Sequence, residues 1–253
     1  DQIDDQDDNP YIDAFWKYLP RIYANLRTLR ITGGEPLMSR HTDKLLNFIS
    51  NNPNKKLTLV INTNLGVTKN KIAKFIKKLE AVQSNVKKID IATSGESHSS
   101  RAEYIRDGLD YAEWYNNCEF ILSALPKVRL HIMCAYNLFA ITSFNDFLSD
   151  IKLLKTKYKK VLVSITYVRD PSFMTIKLAP KTWRPLLIES QTYIKKNFSR
   201  ETLNRFNHVI DYFDNSEPCE NDLVYLKNFL IEYDNRRSKK FLDVFPEYNF
   251  IFV

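Results

Sequence analysis

Glycine is scarce in this chain, with five residues among 253. No GxGxxG, Walker or GxSxG string occurs, so a glycine-rich phosphate loop and a nucleophile elbow are both excluded as motifs. Cysteine is rarer still. Cys118, Cys134 and Cys219 match no metal-ligand spacing, and three thiols cannot all pair internally. They read as free thiols of a reducing compartment, with Cys134 buried in an apolar run. The four histidines, His41, His98, His131 and His208, form neither HExxH nor H-x-E…CxxC, which removes the common zinc catalysts. His131 falls inside a strand-like run and reads as core. No apolar run approaches the roughly 20 residues that span a bilayer. The start, DQIDDQDD, is acidic and polar, unlike a secretory leader. A cytoplasmic protein with no membrane partner is the expectation. Internal repeats and low-complexity segments are also missing.

What is present suits a packed globule. Hydrophobic residues make up 44% and aromatics 13%, enough for a sizeable core in one large domain or a domain with an appendage. The formal net charge is +7. Lysines run along helix-like stretches (Lys69, Lys71, Lys74, Lys77, Lys78; later Lys152, Lys155, Lys157, Lys159, Lys160). Such runs could face nucleic acid, but acids balance most of the charge, so solvated helix faces are the expected reading.

Along the chain, strand and helix patterns alternate. Residues 1–9 carry five acids and are expected to be mobile. Tyr11–Leu26 reads as a helix that Pro20 interrupts or ends. Leu26, Leu29 and Ile31 mark a first strand; KLTLVINT (Lys56–Thr63) a second; Val86–Thr93 a third; VRLHIMCA (Val128–Ala135) a fourth; KVLVSITYV (Lys160–Val168) a fifth. Between them fall helices from about Thr42, from Thr68 as cap, from Arg101 to Leu122, and from Ser143 in a capping-box-like start. Alternation of this kind implies parallel strands with right-handed crossovers. An open doubly wound sheet and part of a (βα) barrel both satisfy it. After Pro171 the pattern turns helical, at about 182–197, 202–214 and 221–236. The aromatic tail Phe241–Val253 should pack on the body. Three regions result: an acidic mobile start and helix (1–25), an α/β core (26–170) and a helical carboxy-terminal extension (171–253).

One stretch organises the rest. The first strand runs into Thr32-Gly33-Gly34-Glu35-Pro36-Leu37, which holds two of the five glycines. Adjacent glycines at a strand end allow unusual backbone angles and close approach of a ligand. Pro36 sets the exit direction. Glu35 is left at the carboxyl end of a strand, where parallel α/β folds place their ligands. Backbone carbonyls and a carboxylate together make a seat for a positively charged amine, while a plain strand-to-helix turn explains the glycines equally well in isolation.

The string Gly33-Gly34-Glu35-Pro36 resembles, residue for residue, a segment of the radical S-adenosylmethionine enzymes, most closely the twitch-domain subgroup. The resemblance covers roughly residues 20–170. It implies a partial parallel (βα) barrel, of which this chain holds five strands, the second through sixth, followed by the helical extension. In that family the segment ends a barrel strand and binds the amino group of S-adenosylmethionine. The family's CxxxCxxC motif for a [4Fe-4S] cluster is missing from these residues. Because the chain begins with Asp, a processed chain, a truncated one or a fragment is the expectation, and the resemblance places the cluster cysteines upstream of Asp1.

Polar residues recur at the other strand ends. Asn62 and Asn64 follow the second strand, Ser94 and Glu96 the third, Asn137 the fourth, and Tyr167 with Arg169 the fifth. Taken singly, the asparagines close turns, Ser94 and Glu96 cap a helix, and Tyr167 is core. The resemblance implies more: Ser94 and Glu96 toward the ribose, Arg106 toward the carboxylate through its bidentate fork, Asn62 and Asn137 as polar lining, and Tyr167 beside adenine. Arg106 could instead form a surface ion pair with Glu103 or Asp110.

The implied activity of the full-length protein is reductive cleavage of S-adenosylmethionine to a 5′-deoxyadenosyl radical, which abstracts hydrogen from a substrate the sequence does not name. An external electron donor is also implied. This chain alone, without cluster cysteines, should be inactive. The rival readings are a cluster-less barrel that binds S-adenosylmethionine or a nucleotide without catalysis, and a nucleic-acid-associated α/β protein using its lysine faces.

Overall fold

The computed structural model describes residues 9–253. The expectation of a mobile acidic start therefore falls on residues that lie, Asn9 excepted, outside the described chain. The protein is α/β, with one five-stranded, all-parallel sheet. Its strands are β1 (Thr28–Ile31), β2 (Asn54–Asn62), β3 (Val86–Ser94), β4 (Arg129–Tyr136) and β5 (Val161–Tyr167). They lie in the order β1-β2-β3-β4-β5, so each crossover steps to the next strand without reversal. A doubly wound sheet reverses direction and binds ligands at that switch point. Among the described residues the order does not reverse, and this sequential winding is consistent with a partial parallel (βα) barrel.

Helices fall before, between and after the strands: α1 (Pro10–Ile22), α2 (Arg40–Asn51), α3 (Lys69–Gln83), α4 (Ser99–Ile105), α5 (Tyr111–Ala124), α6 (Phe144–Lys157), α7 (Arg184–Asn197), α8 (Arg200–Asn215), α9 (Asp222–Arg237) and the single turn α10 (Phe241–Val244). Among the described residues, no helix is long and apolar enough to cross a membrane.

Two expectations about helices are corrected. Pro20 does not end α1, which continues through it to Ile22 before a 3-10 turn at Tyr23–Asn25. The Arg101–Leu122 helix is two helices, α4 and α5. Gly108, at φ +83°, breaks the run, because a left-handed residue cannot continue an α-helix. Thr68 and Ser143 stand at the N-cap positions of α3 and α6 as expected, but neither makes a side-chain cap hydrogen bond, and the Ser143 hydroxyl instead meets that of Ser97 at 2.6 Å.

The described chain packs as two units, residues 9–93 with 113–131, and residues 94–112 with 132–253. In the first, β1 and β2 run in register from Thr28 opposite Thr58 to Ile31 opposite Ile61. Helices α2 and α3 pack together there. Their inward stripes (Leu45, Leu46, Ile49; Ile72, Ile76, Leu79) are buried. In the second unit, α8 packs directly on β5, and α7 packs on α6 and α8. Thr202 on α8 donates to the Val163 carbonyl of β5 at 3.0 Å, and Phe206 stacks on Phe144. The aromatic tail is buried as expected: Phe245 and Tyr248 are inaccessible to solvent.

Candidate functional site

The turn after β1 is built by two left-handed glycines. Gly33 has φ +93° and Gly34 φ +52°, angles that side-chain-bearing residues rarely adopt. A Cβ added at either would meet nothing within 4 Å, so backbone conformation rather than crowding favours glycine here, most strongly at Gly33. Both residues are exposed.

Glu35 is held by three hydrogen bonds. Its Oε1 accepts from Leu37 N at 3.0 Å, capping the 3-10 turn Pro36–Met38, and from Thr63 Oγ1 at 2.6 Å. Its Oε2 accepts from Asn64 N at 2.8 Å. One carboxylate therefore ties the end of β1 to the end of β2. About four acceptor positions exist on a carboxylate, so one on Oε2 stays open. Pro36 is buried at the first position of the turn, where its missing N–H costs nothing.

The loop after β2 is also locked. Asn117, buried on α5, donates to the carbonyls of Leu65 at 2.9 Å and Val67 at 2.8 Å. Leu65 is left-handed at φ +54°. Asn62 differs: its Oδ1 is buried without a hydrogen-bond partner. A cavity of about 360 Å³ opens beside the turn, lined among others by Trp16, Thr32, Gly33, Pro36 and His41. Trp16 Nε1 lies 3.4 Å from His41 Nδ1, and the Lys44 ammonium sits 4.3 Å from the Trp16 ring.

Sequence reasoning missed Thr63 and Asn117. Thr63 could have been read as a third polar residue closing the second strand. Asn117 shares the helical stripe Trp114, Cys118, Ile121, and a polar residue on a buried stripe is a signal in itself.

The remaining expected residues lie in the second unit. Ser94 ends β3 and is half-buried. The next residue, Gly95, donates its N–H to the Met133 carbonyl at 3.2 Å. Glu96 is 2% exposed and takes a bidentate fork from Arg106, Nε to Oε1 at 3.0 Å and Nη2 to Oε2 at 2.6 Å. The surface partners considered for Arg106 are thus replaced by a buried one. Glu103 instead accepts from Tyr111 N. A carboxylate taken out of water requires such a cation. Arg106 keeps Nη1 outside this fork.

Asn137 caps the 3-10 turn Leu138–Ala140: its Oδ1 accepts from Phe139 N at 2.9 Å and its Nδ2 donates to Ala135 O at 3.1 Å. Tyr167 stacks on Tyr212 of α8 at 4.5 Å, and its hydroxyl accepts from Arg169 at 2.8 Å. Of the ten expected residues, Gly33, Gly34, Glu35 and Pro36 form one continuous turn. Glu96 and Arg106 are brought into direct contact.

The cysteines do not suit an iron–sulfur cluster. Cys118 and Cys134 are buried, and burial pushes both thiols well above their usual range. Cluster ligation needs thiolates that share one site. Cys219 is exposed and distant in sequence. Among the described residues, no three His, Cys, Asp or Glu gather as a metal site.

Comparison of the chain with protein-family models, with curated proteins and with solved structures finds no match.

Proposed function

We propose that this chain is the S-adenosylmethionine-binding portion of a radical S-adenosylmethionine enzyme, built on a partial (βα) barrel. The observation that carries the reading is the Gly33–Pro36 turn. It stands at the carboxyl end of a strand in a sequentially wound parallel sheet, the end at which such folds bind ligands.

The donor set of the first unit suits an ammonium group. The turn offers acceptors: the carbonyls of the exposed Gly33 and Gly34, and the open position on Glu35 Oε2. Asn62 Oδ1, orphaned and buried at the end of β2, is a further acceptor in want of a donor. An ammonium has three N–H donors and no acceptor. Three hydrogen bonds hold Glu35 in one rotamer, so its charge is preorganised rather than recruited. In enzymes of this kind the bound cofactor supplies the oxidant for hydrogen abstraction from substrate. The residues of this chain would bind and orient it; a cluster would need thiolate ligands, which the described cysteines do not bring together.

Titration calorimetry with S-adenosylmethionine tests the proposal. The wild-type chain should bind, and Gly34→Val and Glu35→Gln should each weaken binding at least tenfold. No binding, or binding indifferent to both substitutions, would sink it.

The disposition of the cysteines favours a second reading, a cluster-less barrel that binds the same ligand without radical chemistry. Anaerobic reconstitution of the native polypeptide with iron and sulfide separates the two. About four irons per chain and a paramagnetic resonance signal perturbed by S-adenosylmethionine support the enzyme. Their absence in a folded protein supports the module.

A further inference from the structure

A second cavity, of about 300 Å³, lies wholly within the second unit. It opens beside the residues that follow β4 and β5, Asn137 and Asp170, and its walls come from α4, α9 and the turn after β4. Phe139, Phe229 and the rings of Tyr104 and Tyr233 make it largely apolar. That volume holds one ring or a compact branched chain.

The polar groups lining it are unevenly committed. The Tyr104 hydroxyl donates to Asp234 Oδ1 at 2.6 Å, and the Tyr233 hydroxyl donates to the Tyr104 carbonyl at 2.6 Å. Both O–H donors are therefore occupied, while both phenolic oxygens keep acceptor capacity. The Asn137 amide is engaged at both ends, leaving one N–H. Asp170 is exposed at the rim and makes no hydrogen bond or ion pair with any described residue.

Nearby cations do not neutralise Asp170. Arg169 is turned onto the Tyr167 ring and hydroxyl. Arg237 and Lys239, which approach the Tyr233 and Tyr104 rings, are both paired with Asp107, at 3.1 and 2.7 Å. The cavity thus presents aromatic walls, almost no free donor, and one uncompensated carboxylate. A ligand that matches it brings donors and a positive charge on an apolar body.

We propose that this cavity binds a protonated amine carried on an aromatic or branched aliphatic group, with Asp170 as the countercharge. As the substrate pocket of the enzyme, the assignment rests on the S-adenosylmethionine reading; amine recognition itself does not.

Phenethylamine and its acidic isostere 3-phenylpropionate are the probes, followed by calorimetry on the folded chain. Phenethylamine should bind, and phenylpropionate should bind at least tenfold more weakly, because its carboxylate meets Asp170 and a set of acceptors. Asp170→Asn should cost tenfold or more in amine affinity and narrow the gap between the probes; Asp170→Glu should retain the preference. Met174→Trp, which fills the cavity from its lining, should abolish both. Because Asp170 is exposed, the Asn variant will fold. Equal binding of both probes, or an Asp170→Asn variant that binds the amine unchanged, overturns the proposal. Saturating S-adenosylmethionine should leave amine affinity unchanged; displacement of the amine would assign the cavity to the cofactor and overturn it as well. A chain that binds phenethylamine through Asp170 but never binds S-adenosylmethionine would keep this inference and remove the function proposed above.

Discussion

The two units hold their loops in place by different means. In the first, single polar side chains act as clasps. Glu35 joins two strand ends, Asn117 holds two carbonyls after β2, and Asn54 donates to the Tyr23 and Leu26 carbonyls at 2.7 and 3.2 Å. In the second, aromatic rings do most of it. Tyr104, Phe139, Phe241, Phe245 and Tyr248 meet edge-to-face or stacked, with centroids 5.0–5.8 Å apart. The Tyr248 hydroxyl donates to the Leu138 carbonyl at 2.6 Å. The contrast has a physical basis. A hydrogen-bond clasp fixes geometry while leaving backbone open to solvent, as at Gly33 and Gly34. Aromatic packing fixes geometry by excluding solvent, and it leaves accessible only what lies at its margin, such as Asp170.

That comparison can be broken or sharpened by substitution, beginning where the effect is largest. Tyr248→Ala removes a fully buried ring and its hydrogen bond. It should cost about 3–5 kcal/mol, seen as a fall in thermal midpoint, with hydrogen exchange accelerated in the second unit. A loss under 1 kcal/mol would mean the aromatic cluster is not what holds that unit. Arg106→Ala strands the buried Glu96 carboxylate. About 3–5 kcal/mol should go, and Glu96→Gln added to it should restore part. Without such rescue, the fork is a surface pair of little consequence.

In the first unit, Asn117→Ala leaves two carbonyls without their donor. About 1–3 kcal/mol is expected, with exchange accelerated in the loop at residues 63–67 rather than globally. The smallest effect belongs to Asp90. Burial would raise its pKa, but hydrogen bonds and charge from Arg129 and Lys88 outweigh that and hold it below the usual carboxylate range. A depressed folded-state pKa stabilises the protein above the unfolded value and loses that contribution as pH falls through the folded one. Wild type should therefore exceed Asp90→Asn in denaturant stability at neutral pH, and the gap should close below about pH 4. A gap constant from pH 7 to 2 would show that the contacts, not the charge, matter. Thiol counting gives a last comparison. One thiol, Cys219, should react with a disulfide reagent in the native protein, and all three after unfolding, since Cys118 and Cys134 are buried.

Much of the chain was legible from pattern. Five strands, the helices of the carboxy-terminal half and the buried tail follow from period-two and period-3.6 spacing of Val, Ile, Leu and Phe, because burial of apolar surface is local in its sequence signature. The misreadings have local causes too. Pro20 is tolerated inside α1. Gly108 lies inside the run read as one helix, and its left-handed φ divides α4 from α5.

Turn chemistry at Gly33-Gly34-Glu35-Pro36 was likewise written in the chain, since two successive residues at positive φ, +93° and +52°, favour glycine through local sterics alone. Partnership was not. That Glu35 would clasp Thr63 and Asn64, that Glu96 rather than Glu103 or Asp110 would receive Arg106, and that Asp170 would be left without a partner depend on which side chains the folded sheet brings within 3 Å. Sheet order was equally beyond periodicity, which reads the same for a sequentially wound and a doubly wound sheet. Backbone conformation and burial are properties of a segment and its immediate neighbours. Strand order and ion-pair choice are set by contacts between segments far apart in the chain, and only the tertiary structure selects among them.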